Sequence, residues 1–264
     1  MGILNVTPDS FSDGGKYNST KGALEHAEKL IADGADIIDV GGESTRPGSR
    51  NVAAGDEIER VVPVIGEIVK RFDVPVSIDT SKSGVAEAAV NAGAEIINDI
   101  SGLRFDEQIG KIAAKYKTGL ILMHSKGEFE TLHIARQPVK NIVKEISEEF
   151  VGSIKKAQKS GVKTEQICLD PGVGFGKSPE ENLEIIAKLD SICGRFPQYP
   201  VLVGTSRKSF IGRILGEKPP EERINGTIAT NVLSVWNGAR IVRVHDIESV
   251  AEALKLVDEI KKQL

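Results

Sequence analysis

Acidic and amide side chains recur in this sequence at the ends of short apolar runs. Asp39, Asp79 and Asp170 each follow such a run, and Asn98 follows another. Three carboxylates that converge could bind a divalent cation, act as a general base, or accept hydrogen bonds from a polar ring. The Asn98 amide favours the polar ring, because an amide both donates and accepts hydrogen bonds and so suits the edge of a heterocycle.

A second group of candidate residues is basic and lies late in the chain. Lys208 follows one apolar run closely, and Arg243 and His245 follow the next. Residues two apart on an extended segment point to the same side, so Arg243 and His245 could form a cationic pocket with Lys208. Such a pocket would bind an anion, and the alternative is a salt-bridged rim without a ligand.

The segment from Asp170 to Lys177 is rich in glycine and resembles a phosphate-binding loop. It does not match the Walker A motif, because that motif requires glycine at the position of Pro171. No Gly-x-Gly-x-x-Gly follows a strand either. Two interpretations remain. Asp170 is either an acid at a strand end, beside a glycine loop without bulky side chains that would crowd it, or the cap of a tight turn.

The elements that must position these residues alternate between short apolar runs and amphipathic stretches. The periodicity of residues 20–32 and 57–71 predicts helices. Eight units, each with polar residues after its strand, predict a (β/α)₈ TIM barrel with the active site at the C-terminal ends of the strands. A doubly wound open sheet is the alternative, but it would concentrate its site at one switch point. The predicted strands span residues 2–5, 37–40, 75–79, 96–99, 119–123, 167–170, 201–204 and 241–244.

Length and composition predict a single domain that spans residues 1–264. A hydrophobic fraction of 40% and a charged fraction of 27% are typical of a soluble globular domain. The net charge of −4 argues against nucleic-acid binding, and no apolar run is long enough to cross a membrane. No signal peptide is evident, and the two cysteines, Cys168 and Cys193, form no metal or redox motif. We therefore expect a cytoplasmic protein.

Two long loops, rich in hydroxyl groups, glycine and proline, are predicted after the first two strands. Long irregular segments within a compact domain are usually lids or binding loops. The first reads Met1-Gly-Ile-Leu-Asn-Val-Thr-Pro-Asp-Ser-Phe-Ser-Asp-Gly-Gly15 with its strand, and the second reads Gly41-Gly-Glu-Ser-Thr-Arg-Pro-Gly48.

Both loops resemble the signature loops of the dihydropteroate synthase family, and the resemblance covers essentially the whole chain. It implies a pterin-binding TIM barrel that joins 4-aminobenzoate to (7,8-dihydropterin-6-yl)methyl diphosphate, releases pyrophosphate and uses Mg²⁺. Further landmarks agree in order: Ile78-Asp79-Thr80, Ile97-Asn98-Asp99, Leu169-Asp170-Pro171-Gly172, Ser206-Arg207-Lys208 and Arg243-Val244-His245-Asp246.

The resemblance also implies roles for individual residues. Those implied to bind the pterin are Asp79, Asn98, Ile100, Met123, Asp170, Lys208 and Arg243. Those implied for 4-aminobenzoate are Thr45, Pro47, Phe175 and Ser206, and those for the diphosphate are Asn5, Arg46, Arg243 and His245, with Asn5 as the metal ligand. The implied catalytic residues are Asp39, Asp79, Lys208 and Arg243, of which Asp39 stabilises the state with closed loops.

The resemblance further implies inhibition by sulfonamides and a homodimer formed through the late helices, including the one that bears Trp236. Two other functions compete with it. A methyltetrahydrofolate–corrinoid methyltransferase resembles this family in barrel and pterin site but has no reason to carry the Thr45-Arg46-Pro47 segment. A non-catalytic pterin-binding protein would be favoured by the loss of Lys208 or Arg243, and both residues are present.

Overall fold

The structure is a computed structural model that describes residues 1–7, 15–43, 52–132 and 134–263. Strands and helices alternate along these ranges as predicted. The strands are β1 (Gly2–Asn5), β2 (Ile38–Gly41), β3 (Val76–Asp79), β4 (Ile96–Asp99), β5 (Gly119–Met123), β6 (Ile167–Asp170), β7 (Leu202–Val203) and β8 (Ile241–Val242). The helices are α1 (Gly15–Ala32), α2 (Ala54–Arg71), α3 (Ser83–Asn91), α4 (Gln108–Tyr116), α5 (Ile142–Lys159), α6 (Pro179–Ala187), α7 (Leu189–Arg195), α8 (Ser209–Ile214), α9 (Ile224–Trp236) and α10 (Ile247–Lys261).

Backbone pairing closes the strands into a barrel. Strands β1 to β6 form one parallel sheet in sequence order, and β7 pairs with β8. At the two seams, Leu169 pairs with Val201 and Gly2 pairs with Val244, both in parallel orientation. The Ile3 N–H donates to the Val244 carbonyl over 3.0 Å. The predicted (β/α)₈ TIM barrel is therefore confirmed, and an open sheet is excluded because the first strand meets the last.

The helices cover the outside of the barrel through apolar stripes. In α2 the stripe consists of Val61, Val64, Ile65 and Ile68, which are all fully buried. These spacings place the four side chains on one face of a helix, which packs against the strands. Such local periodicity is the reason that the sequence predicts these elements. None of the helices in the described ranges has both the length and the apolar character needed to cross a membrane.

Helix α2 begins at Ala54 rather than at residue 57, where its apolar periodicity starts. Ala54, Gly55 and Asp56 form an exposed first turn. A periodicity of buried residues cannot detect a turn that buries nothing, so the prediction is three residues short.

Asp39 lies inside its strand, although it directly follows a short apolar run in the sequence. It is the second residue of β2, in register with Ile3 and Ser77, and its side chain is fully buried. A buried carboxylate inside a barrel requires partners, and these come from strands distant in sequence.

Candidate functional site

Strand register brings polar residues of neighbouring strands into one row at the mouth of the barrel. Asn5 pairs with Gly41, Gly41 with Asp79, and Asp79 with Asn98. Residues in register on adjacent strands point to the same face of a sheet. A Cβ built at Gly41 would lie 3.7 Å from both Asn5 Oδ1 and Asp79 Cβ, so these two side chains flank the glycine.

Arg243 binds two of the acidic residues at the centre of this mouth. Its Nε donates to Asp39 Oδ2 over 2.6 Å, and its Nη2 donates to Asp79 Oδ2 over 2.7 Å. Asn98 Nδ2 donates to the same Asp39 oxygen over 3.2 Å. These charge-assisted bonds compensate for the burial of Asp39 and fix the plane of the guanidinium.

Two buried acceptor atoms in this cluster have no hydrogen-bond partner among the described residues. They are Asp39 Oδ1 and Asn98 Oδ1. Buried polar atoms in proteins nearly always have a partner, either protein or water. Both oxygens therefore retain the capacity to accept a further hydrogen bond.

Burial weakens the acidity of two carboxyl groups of the site. It raises the pKa of Asp79 to about 7, even though the Arg243 guanidinium acts in the opposite direction. It also raises the pKa of Asp170 to about 6, against the hydrogen bond from the Gly172 N–H. Carboxyl groups with raised pKa values gain charge stabilisation from a ligand that donates hydrogen bonds to them.

Asp170 ends β6 and begins the glycine-rich loop. Its Oδ1 accepts a hydrogen bond from the Gly172 N–H over 2.7 Å, so one oxygen caps the turn and Oδ2 is left for other donors. Gly172 has φ +66°, and a Cβ there would lie 1.9 Å from the His124 carbonyl oxygen. Only glycine fits this close approach.

Lys208, which follows β7, leans over the glycine-rich loop. Its Nζ lies 3.9 Å from the centroid of the Phe175 ring, a cation–π contact. A Cβ at Gly174 would come within 2.9 Å of Lys208 Cδ, so the glycine leaves room for the lysine. Burial lowers the pKa of Lys208 to about 8, and the charge of Arg243 adds to this effect.

Lys177, at the end of the same loop, binds backbone rather than an anion. Its Nζ donates to the carbonyl oxygens of Gly172 over 2.7 Å, His124 over 3.1 Å and Phe175 over 3.2 Å. These bonds hold the loop that carries Asp170 and Phe175, and they agree with the rejection of a phosphate-loop interpretation. Sequence reasoning missed this role, because the carbonyl groups that Lys177 binds come together only when the loop is folded.

An apolar wall stands beside these polar groups and is separate from the main core. It contains Ile100, Met123 and Leu132, and Phe105, Phe129 and Phe175 pack against it. Ile100 and Met123, which the resemblance implies for the pterin, thus share a cluster with Phe175, which it implies for 4-aminobenzoate. An apolar wall with a few convergent polar groups is typical of a pocket for a flat organic ligand.

Ser206 and His245 touch, although the resemblance assigns them to different ligands. Ser206 Oγ lies 3.0 Å from His245 Nδ1. Burial lowers the pKa of His245 to about 3, and the charges of Arg243 and Arg207 add to this effect. His245 is therefore neutral at pH 7 and Arg243 is paired with Asp39 and Asp79, so the positive charge of the predicted pocket comes from Arg243 and Lys208.

Thr45, Arg46 and Pro47 of the second predicted loop lie outside the described residues. The two ends of that loop are described and are joined directly. The Val52 N–H donates to Glu43 Oε1 over 2.6 Å. Glu43 therefore holds the base of the loop.

Lys82, Glu43 and Glu57 form an ion-pair network beside this base. Lys82 Nζ lies 2.7 Å from Glu43 Oε2 and 2.7 Å from Glu57 Oε2. Glu57 is fully buried in the apolar stripe of α2, and burial raises its pKa. Sequence reasoning missed this network. Glu57 lies four residues before Val61, on the apolar face of the helix, and a charged residue at such a position indicates a buried partner.

Asn5, the predicted metal ligand, offers one amide oxygen at the end of β1. Among the side chains that the structure describes, no group of three or more His, Cys, Asp or Glu residues could hold a metal ion. Mg²⁺ usually keeps several waters and takes one or two protein oxygens beside substrate phosphates. A single amide oxygen next to a diphosphate site is compatible with this behaviour.

Comparison with known proteins places this architecture in a family. Residues 1–245 match the family described as pterin binding enzyme. The chain is 49% identical to the dihydropteroate synthase of Clostridium beijerinckii over 264 residues, which cover all of this chain and 94% of the relative.

Solved structures are similar over nearly the whole chain. The dihydropteroate synthase of Clostridium difficile, determined in the presence of pteroic acid, has a TM-score of 0.92 and 45% identity, with coverage of 98% of this chain and 95% of that one. The Xanthomonas albilineans enzyme with 4-aminobenzoic acid has a TM-score of 0.91, 39% identity and coverage of 99% and 92%. The Yersinia pestis enzyme with a sulfonamide drug complex has a TM-score of 0.91, 40% identity and coverage of 100% and 94%. This chain therefore belongs to the dihydropteroate synthase family of pterin-binding enzymes.

Proposed function

We propose that this protein is a dihydropteroate synthase that condenses (7,8-dihydropterin-6-yl)methyl diphosphate with 4-aminobenzoate to give 7,8-dihydropteroate and pyrophosphate. The observation that carries the proposal is the meeting of Asp39, Asp79 and Asn98 with Arg243 at one barrel mouth. This cluster offers hydrogen-bond acceptors and a planar cation beside an apolar wall. The dihydropteroate synthases that this chain matches over more than nine-tenths of their length support the choice of substrates.

The pterin is proposed to bind with its polar edge toward the carboxylates. That edge presents N–H donors beside a carbonyl oxygen, and one carboxylate can accept two parallel N–H bonds. Asp170 Oδ2, the Asp79 carboxylate and Asn98 Oδ1 supply acceptors, and Lys208 Nζ supplies a donor for the ring carbonyl. The Arg243 plane is suited to stack on the ring, and Ile100 and Met123 line the opposite wall.

The proposed chemistry begins with cleavage of the bond between the methylene carbon and the diphosphate oxygen. The electron pair leaves with the diphosphate, and the electron-rich dihydropterin spreads the positive charge that develops. An ionised Asp79 stabilises that charge electrostatically. The amine nitrogen of 4-aminobenzoate then attacks the methylene carbon, and its proton passes to the released diphosphate.

The diphosphate and the amine are proposed to bind at adjoining ends of the site. Asn5, Arg46, Arg243 and His245 are the proposed diphosphate residues, and Thr45, Pro47, Phe175 and Ser206 are the proposed 4-aminobenzoate residues. Asn5 would be a protein ligand of Mg²⁺. When bound, Mg²⁺ neutralises negative charge on the leaving diphosphate.

The decisive experiment is pyrophosphate release. The protein is supplied with Mg²⁺ and both substrates, and the matched control omits 4-aminobenzoate. We expect release that depends on both substrates. Tight pterin binding without release would instead favour the non-catalytic pterin-binding protein, and methyl transfer from methyltetrahydrofolate to a corrinoid would favour the methyltransferase.

We also propose a homodimer that forms through α9 and α10. The apolar side chains of Leu233, Trp236, Leu256 and Ile260 are 46% to 67% exposed on these two helices. Lys261 Nζ donates to the Val235 carbonyl, which places the ends of the helices side by side. Exposed apolar patches mark interfaces. Light scattering at micromolar concentration should give twice the chain mass, and Trp236→Glu should give a monomer.

The proposed cellular location is the cytoplasm. Cys168 and Cys193 are both free thiols, which a reducing compartment preserves. Fractionation of the source cells should recover the protein with cytoplasmic markers.

A further inference from the structure

Two hydrogen-bond contacts join Ser206 to His245 across the loops that follow β7 and β8. The His245 backbone N–H donates to Ser206 Oγ over 3.1 Å, and the same Oγ lies 3.0 Å from His245 Nδ1. Ser206 is buried, with 5% of its surface exposed. The hydroxyl oxygen therefore already accepts one hydrogen bond, and its own proton requires an acceptor.

The position of the imidazole proton follows from this count. A neutral imidazole carries one proton, on Nδ1 or on Nε2. With the proton on Nδ1, that N–H and the backbone N–H would both point at Ser206 Oγ. The hydroxyl proton would then be buried without an acceptor, because Ser206 Oγ has only these two partners among the described residues. With the proton on Nε2, the Ser206 hydroxyl donates to Nδ1, both donors between the two residues are satisfied, and the Nε2–H group is left for another acceptor.

A neighbouring ion pair holds the backbone that carries this contact. Arg207 Nε donates to Asp246 Oδ2 over 3.0 Å, and Arg207 Nη2 donates to Asp246 Oδ1. Arg207 has φ +59°, a left-handed conformation that is costly for a residue other than glycine. Its N–H donates to Thr227 Oγ1 over 3.1 Å. The residues next to Ser206 and His245 are thus joined as well, so the two loops keep a fixed spacing.

We propose that Ser206 is a positioning residue for His245: its hydroxyl holds the imidazole as the Nε2–H tautomer, so that Nε2–H donates to the leaving diphosphate. The inference rests on the proposed function, which supplies the diphosphate as the acceptor. It gives Ser206 a second role besides the 4-aminobenzoate pocket. A neutral donor adds a hydrogen bond to the anion without a further positive charge beside Arg243.

The tautomer can be read without any substrate. Nitrogen-15 NMR of the full chain with labelled histidine rings distinguishes a protonated ring nitrogen from an acceptor nitrogen. The chain has four histidines, and comparison with His245→Gln identifies the His245 signals. We expect a protonated Nε2 and an acceptor Nδ1 in the wild type, mixed tautomers in Ser206→Ala, and the wild-type pattern in Ser206→Thr, which keeps the hydroxyl.

A second measurement tests whether the Nε2–H group of His245 donates to the diphosphate. Inorganic pyrophosphate with Mg²⁺ is titrated into each variant by calorimetry. Loss of one oriented hydrogen bond should weaken pyrophosphate binding about 3- to 10-fold in Ser206→Ala, and Ser206→Thr should recover it.

Several outcomes would overturn the inference. These are a protonated Nδ1 in the wild type, an unchanged tautomer in Ser206→Ala, and unchanged pyrophosphate affinity in that variant. A failure of the proposed function looks different: the wild type would release no pyrophosphate from its substrates, while the tautomer of His245 would still respond to Ser206→Ala.

Discussion

Arg243 and Asp39 are 204 residues apart in the sequence, yet Arg243 Nε donates to Asp39 Oδ2 over 2.6 Å inside the barrel. Strand β1 lies between β2, which contains Asp39, and β8, which Arg243 follows, so the contact crosses the barrel interior. The same guanidinium binds Asp79 on β3. The orientation of the proposed stacking surface for the pterin is therefore set by two carboxylates from two different strands.

Asp170→Asn should weaken pterin binding with little effect on folding. The change is nearly isosteric, but it replaces one acceptor oxygen with an NH₂ group that faces the N–H donors of the pterin. A charge-assisted hydrogen bond is worth about 1.5–3 kcal/mol, so the affinity should fall about 10- to 100-fold. Calorimetry measures this directly. Affinity for 4-aminobenzoate, measured on the complex with pyrophosphate and Mg²⁺, serves as the control and should change much less. Unchanged pterin binding in the folded variant would leave Asp170 as a turn cap alone.

Arg243→Lys should lower both pterin and diphosphate affinity. A lysine keeps the charge but loses the planar face and cannot bind Asp39 and Asp79 together. One buried carboxylate loses its partner, so urea unfolding at pH 7 should also show a loss of about 1–3 kcal/mol. Wild-type affinity for both ligands in this variant would remove Arg243 from the proposed site.

Pterin binding should release protons and weaken at low pH. The pKa of Asp170 is about 6 and that of Asp79 about 7 in the free protein, both raised by burial. A ligand that donates hydrogen bonds favours the ionised forms and lowers both pKa values, so binding expels protons when the free carboxyl groups are protonated. Affinity should fall as pH drops below about 7, where Asp79 begins to be protonated, and more steeply below about 6, by up to about tenfold per pH unit for each proton released.

The check on this pH dependence uses a pterin that lacks the diphosphate. Calorimetry at pH 6 in two buffers with different ionisation enthalpies should give different heats, and Asp170→Asn should reduce the difference. Equal heats in the two buffers for the wild type would contradict the assignment of these carboxyl groups.

Lys82→Met should destabilise the fold strongly. Lys82 Nζ neutralises Glu57, whose side chain is fully buried, and removal of one partner of a buried ion pair costs about 3–5 kcal/mol. The matched control is Lys70→Met, because Lys70 forms a salt bridge with Glu67 and its side chain is 71% exposed. That change should alter the free energy of unfolding by only about 0–1 kcal/mol. Equal effects of the two variants in urea unfolding would refute a stabilising role for the network.

Sulfonamides should compete with 4-aminobenzoate. Phe175 and Ser206 of the proposed amine pocket are both in place beside Lys208 and His245. The measurement is the rate of pyrophosphate release at several concentrations of drug and of 4-aminobenzoate. Inhibition that high 4-aminobenzoate fails to reverse would place the drug elsewhere.

The amino-acid sequence by itself determined the barrel and the identity of most candidate residues. Apolar runs and helical periodicity are local, so the strand positions can be predicted to within a few residues. In a closed parallel barrel all the strands present their carboxyl ends at one mouth. A residue such as Asp79, Met123 or Asp170, which ends its strand, can therefore be placed at the site without any knowledge of its neighbours.

The tertiary structure alone decided which of these residues are partners and which are charged. Arg243 with Asp39, Ser206 with His245 and Lys82 with Glu57 are pairs from distant segments. Their contacts depend on strand register, helix placement and side-chain conformation, which leave no periodic trace in the sequence. Burial, which raises the pKa of Asp79 and lowers that of His245, is likewise a property of the packed barrel, because it arises from the exclusion of water by many residues at once.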